Sequence, residues 1–265
     1  MLKSNKMAET VSNINKISLR YKLSTFTRKG LGQEAGNLQI YPDTNEGISD
    51  DQWCISILID EHNMDWSDEI SVTEDQRTLS QLSDSFLRNF ESYTNENNGR
   101  QTAAGLDDAL LSSYQVIDAI AEREQIAASM LTACWLNDLL HIASVGVCRA
   151  YLLRAGRIKQ LTVDDFTYIT EDGSTYCLPN ILTNSIGRGT IHNSNDIHLS
   201  TFKLNPHDMI ILCNITFYKH VSEDEMLNAA LTIAELDKIC STLGTKASQN
   251  TDMFDTVSLC LVKFE

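Results

Sequence analysis

Residues Ile142 to Asp164 read IASVGVCRAYLLRAGRIKQLTVD. Short apolar runs lie on either side of Gly146, a pattern that predicts strands over Leu139–Val145 and Ala150–Arg154. Ala155-Gly156 then marks a tight hairpin into a third strand, Arg157–Leu161. Upstream, Met130–Trp135 continues the strand pattern. Ala103–Arg123 and Ser71–Glu91 read as amphipathic helices, the second with Leu79, Leu82, Phe86, Leu87 and Phe90 at helical spacing. Tyr93–Arg100 separates them as a polar loop. Asp51–Asp60 (DQWCISILID) is a β-rich central strand, and Ile17–Thr27 alternates as a half-buried strand does. Downstream, Thr167–Asp196 reads as turn-rich and irregular. Strands follow at Ile197–Leu204 and Met209–Asn214, a helix at Ser222–Leu243 opened by a Ser222/Glu225 capping box, and a last strand at Thr256–Phe264. Residues 1–15 are a polar lead-in, and 16–265 are expected to form a single α+β domain.

Composition narrows the class. The chain has 265 residues, 42% of them hydrophobic and 22% charged, which suits a globular protein with a sizeable core. A net charge of −15 provides no basic stripe, so nucleic acid is not an expected partner. Asn137, Asp138 and His141 interrupt the longest apolar candidate, so no membrane span is expected. The seven cysteines show no C-x-x-C pairing, sit mostly in apolar runs, and with no apolar leader point to a reduced, cytoplasmic protein. The six histidines have no H-x-x-H or H-E-x-x-H spacing. Gly187-Arg188-Gly189 is an unspecific turn, and Ser185 lacks a G-x-S-x-G elbow. Cys148 reads as a buried structural thiol.

The stretch around Gly146 resembles the V-G-D-S-R-A-Y-L-L-R-x-G-x-L-x-x-L-T-x-D-H unit of the metal-dependent Ser/Thr protein phosphatases of type 2C (the PPM family). Four further segments are similar to that family's motifs, in the same order. WCISILIDEHNM stands in the place of its A-D-G-M-G-G strand and loop. Leu182–Gly187 (LTNSIG) looks like its L-T-R-A-I-G turn, DMIILCNITFYKHVSEDEM like its L-L-C-S-D-G-L segment, and DTVSLCLVKF like its terminal D-N strand. The resemblance covers about Ser18 to Phe264, is strongest in the second half, and looks most like the compact bacterial branch. It implies a four-layer α-β-β-α sandwich of two antiparallel sheets flanked by helices.

In that family two adjacent divalent cations, held by carboxylates, activate water for attack on a phosphoester. Hard Mg²⁺ and Mn²⁺ require oxygen ligands. Carried over position by position, two of those carboxylates survive here, as Asp60 and Asp255. Glu61 replaces the glycine after the first and is a third vestigial candidate. The Asp of V-G-D has become Val147 and that of S-D-G-L has become Ile215, with Thr216 for its glycine and Thr256 for the terminal Asn. The R-x-x-N-E-D motif should fall near Leu31–Leu38 but reads LGQEAGNL, with Glu34 as a conceivable substitute. Asp60 and Asp255 are expected to be solvated remnants at strand ends.

The resemblance therefore implies a pseudophosphatase with no catalytic residues and no cofactor, beyond weak Mg²⁺ or Mn²⁺ binding. Such a protein acts as a regulatory or scaffolding module for a protein partner, a kinase or a phosphoprotein, with Trp66 as an interface anchor. The alternatives are a divergent Mn²⁺/Mg²⁺-dependent phosphoprotein phosphatase with a rearranged metal site, and a structural subunit built by self-association.

Overall fold

The computed structural model describes residues 20–28, 37–41, 54–61, 77–96, 103–171, 173–252 and 255–265. Twelve strands and five helices occur among them. In chain order they are β1 (Tyr21–Arg28), β2 (Asn37–Tyr41), β3 (Cys54–Glu61), α1 (Arg77–Glu96), α2 (Ala103–Arg123), β4 (Ala128–Leu136), β5 (Leu139–Val145), β6 (Arg149–Arg154) and β7 (Arg157–Gln160). β8 (Phe166–Glu171), β9 (Ser174–Leu182), β10 (His198–Lys203), β11 (Met209–Cys213), α3 (Ile215–His220), α4 (Glu223–Thr232), α5 (Leu236–Gln249) and β12 (Val257–Phe264) follow.

Two five-stranded sheets form, the first in the order β1-β12-β11-β6-β7 and the second β10-β5-β4-β3-β2, with β8 and β9 as a separate two-stranded hairpin. Every pairing is antiparallel. The inner strands must be apolar on both faces, because each sheet lies between its partner sheet and a helical layer. β4 shows this directly. Met130 and Cys134 face α1 and α2, among Phe86, Phe90, Leu110 and Tyr114. Leu131, Ala133 and Trp135 face the first sheet, among Ala150, Ile210, Leu212 and Val262. On the far side α3, α4 and α5 cover the first sheet through Phe217, Met226, Ile239 and Leu243, packed on Ile211, Leu259 and Leu261. The result is the expected four-layer α-β-β-α sandwich. Helix α5 lies so close to β1 that a Cβ at Gly244 would stand 2.2 Å from the Phe26 ring.

Much of the element reading holds, including α2, β5 and the capping box, in which Ser222 and Glu225 satisfy each other's backbone amides. Four segments differ. The stretch expected to be irregular after Thr167 contains the β8–β9 hairpin, whose alternation is masked by Thr, Ser, Asn and Pro. The single helix expected over Ser222–Leu243 is two, because Ile233 and Glu235 adopt extended backbone between α4 and α5. Helix α1 continues to Glu96, into the expected polar loop, and Thr94 there is buried with its hydroxyl bonded to the Glu91 carbonyl at 3.0 Å. Helix α3 begins directly after β11, where sequence reading extended the strand through Asn214. Among the described helices none is long and apolar enough to cross a membrane.

Candidate functional site

At one end of the sandwich the apolar filling between the sheets gives way to buried polar groups. Asp60 nears the end of β3, opposite Ser129 of β4. Asn214 follows β11, Thr256 directly precedes β12, and Ser258 is its second residue. All five are buried. Asn214 is the hub. Its Nδ2 donates to the Thr256 carbonyl at 2.8 Å and to Oδ1 of Asp60 at 3.3 Å. Its Oδ1 accepts from the amides of Ser258 at 3.1 Å and Phe217 at 3.3 Å. One side chain thus caps α3 and joins strands of both sheets.

The turn between β5 and β6 closes over this hub. Gly146 has φ of +91°, and a Cβ there would lie 2.1 Å from Oγ of Ser129, so only glycine fits. The Val147 amide donates to that Oγ at 2.9 Å, and its carbonyl accepts from the Tyr218 hydroxyl of α3, also at 2.9 Å. The Val147 side chain is fully buried against Phe166 and Leu182, the paired residues at the root of the β8–β9 hairpin, with Ile215 packed alongside. These four side chains make an apolar plug. Two of them stand where the motif requires carboxylates.

Charged groups surround the plug in saturated pairs. Arg149 binds Asp164 through Nε and Nη2, the shorter contact 2.6 Å, and its guanidinium carbon lies 3.8 Å from the Tyr218 ring centroid. Its Nη1 donates to the Tyr151 hydroxyl at 3.0 Å. Burial pushes the Cys148 thiol well up, and the nearby Asp60 charge adds to the shift, so Cys148 stays a protonated, structural thiol. Deeper in the fold, Asp118 of α2 accepts from the amides of Gly187, Arg188 and Ile191 at 2.7, 3.2 and 3.1 Å, which fixes the LTNSIG turn.

Motif positions spread from residue 60 to residue 256 therefore converge, as Asp60, Val147, Ile215 and Thr256. Asp60 differs from the expected solvated remnant: it is buried and accepts the Asn214 amide, because the sheet sandwich closes above it. Asp255 is exposed and takes a hydrogen bond from Thr251 at 3.0 Å. Glu61 closes β3 opposite Ala128. Trp66, Glu34 and most of the LGQEAGNL segment lie outside the described residues. Asn214, Tyr218 and Leu182 lie inside motif segments but carry no assigned role there, and Phe166 lies outside them. Asn214 carried a signal, since it replaces the serine of the S-D-G-L motif.

The donors present among the described residues do not fit a pair of divalent cations. Such a pair needs several convergent oxygens, and the plug supplies hydrocarbon where two should be. Among the described residues no three His, Cys, Asp or Glu side chains cluster in a way that could hold a metal ion.

No family model and no curated protein sequence matches the chain. Solved structures do. The catalytic domain of the serine/threonine phosphatase PstP, solved with two manganese ions, superposes with a TM-score of 0.64 at 17% identity, over 93% of this chain and 99% of that one. PstP is a Mycobacterium tuberculosis protein. The S. agalactiae serine/threonine phosphatase gives 0.66 at 18% identity, over 92% and 99%. PppA of Pseudomonas aeruginosa, described as a key regulatory component of T6SS, gives 0.63 at 11%, over 92% and 98%. The chain thus has the fold of bacterial Ser/Thr phosphatases along nearly its whole length.

Proposed function

We propose that this chain, built on the fold of the bacterial Ser/Thr phosphatases, is a catalytically silent relative of them that works as a regulatory protein-binding module. The observation that carries the reading is the plug: Val147 and Ile215 pack with Phe166 and Leu182 at the convergence of the motif positions. Moving a divalent cation against such a surface would strip its water and return no oxygen ligand. Of the two surviving acids, Asp60 accepts an amide hydrogen from Asn214, and Asp255 is exposed. The described residues meanwhile keep the scaffold, with two sheets, both helical layers and an Arg149–Asp164 pair. A fold preserved around a closed centre supports binding rather than turnover, and the resemblance makes a protein kinase or a phosphoprotein the partner class.

The test is a phosphatase assay with p-nitrophenyl phosphate and a phosphothreonine peptide, at high protein concentration with Mn²⁺ and then Mg²⁺. The expected result is hydrolysis no faster than buffer. Mn²⁺-dependent turnover that disappears in Asp60→Ala would establish the rival reading, a divergent phosphatase with a rearranged metal site.

A further inference from the structure

Two adjacent carboxylates at the root of the β8–β9 hairpin tie the two sheets together. Asp164 is held by Arg149 of β6, in the first sheet. The Oδ1 of Asp165 lies 2.9 Å from Nε2 of His198, the first residue of β10 in the second sheet, and its Oδ2 accepts the Gly146 amide at 2.7 Å. The Asp165 backbone is equally committed. Its amide donates to the Gly146 carbonyl at 3.0 Å, and its carbonyl accepts from the Thr183 amide at 2.8 Å. Phe166 directly follows Asp165, and Leu182 directly precedes Thr183. The two hairpin residues that cover Val147 are therefore each one residue from this knot.

We infer that His198 and Asp165 form a proton-dependent latch, closed when His198 is protonated, which holds the β8–β9 hairpin over the Val147–Ile215 plug and loosens as pH rises. A two-stranded hairpin is marginal by itself in water, so its position depends on its root and on the plug. Tyr168 and Tyr176, further along the hairpin, are more than half exposed. Opening the root would uncover Val147, Ile215, Phe166 and Leu182, an apolar surface hidden while the latch is closed.

The charges facing His198 have a clear balance. Asp165 and Asp164 both act on it, and Arg149, the cation on that side, is already engaged by Asp164. Ser144, its partner across β5, is neutral. Asp196, two residues earlier, has its carboxylate taken by the amides of His192 and Asn193. The hydrogen bond to Asp165, opposed by partial burial, holds the imidazole above its ordinary value. A raised histidine stabilises fully below its unfolded value of about 6.5, and that contribution is lost as pH rises through the folded value. The latch does not depend on whether the chain is an enzyme.

Hydrogen exchange of the full-length protein, read by mass spectrometry, tests this. Exchange of hairpin amides relative to those of β11 and β12 should rise about fivefold on going from acid to alkaline pH, the difference between a charged and a neutral hydrogen bond. His198→Gln keeps a donor but cannot titrate, so it should give a flat ratio. Asp165→Asn should bring the histidine's NMR midpoint down toward about 6.5. An equal pH dependence in His198→Gln would overturn the latch, and this comparison decides alone if Asp165→Asn does not fold.

Discussion

Asn214 shows how much one buried side chain can hold together. It is fully buried and uses its amide on both sheets and on the first turn of α3. Asn214→Ala removes one hydrogen bond from the Asp60 carboxylate and one from each of three backbone groups, and should cost about 2–3 kcal/mol. A lowered urea midpoint with an unchanged m-value would register this. Ala155 offers the opposite case. It has φ of +49° at the β6–β7 hairpin, next to Gly156 at +72°, a type I′ turn in which alanine is strained. Ala155→Asn should stabilise by about 0.5–1 kcal/mol, seen as a higher midpoint, because asparagine tolerates that conformation better. The turn was legible in the Ala-Gly pair. The role of Asn214 was not, since its partners lie 42 and 154 residues away in sequence.

At the scale of elements, periodicity was readable wherever one face was uniformly apolar, as in α2 and β5. It failed where polar residues lie on a protruding element, as in β8–β9, and where a short break kept the apolar spacing, as between α4 and α5. That break is bridged by Glu225, which bonds Lys246 of α5 and the Ser222 amide. Lys246 first, and then the Ser222 amide, hold the Glu225 carboxyl at about 2. A depressed carboxylate stabilises above its unfolded value, about 4.3, and loses that contribution as pH falls toward the folded one. NMR titration should therefore show the α4 N-terminus loosening only in strong acid. Lys246→Met should raise the Glu225 midpoint; an unchanged midpoint would mean that the helix N-terminus alone holds it down.

For the whole molecule, five motif resemblances in order sufficed to anticipate the four-layer sandwich and to bring Asp60, Val147, Ile215 and Thr256 to one end. What surrounds them there was hidden, because Phe166 lies outside every motif, Leu182 only opens the LTNSIG segment, the hairpin that joins them was not read from sequence, and burial of Asp60 depends on both sheets at once. The plug makes the molecule's response to metal its most direct signature. Calorimetric titration of Mn²⁺ into the full-length protein near neutral pH should give no saturable heat at millimolar metal. Saturable binding of two ions per chain, lost in Asp60→Ala, would contradict the account, since it would require oxygen ligands where the structure has Val147 and Ile215.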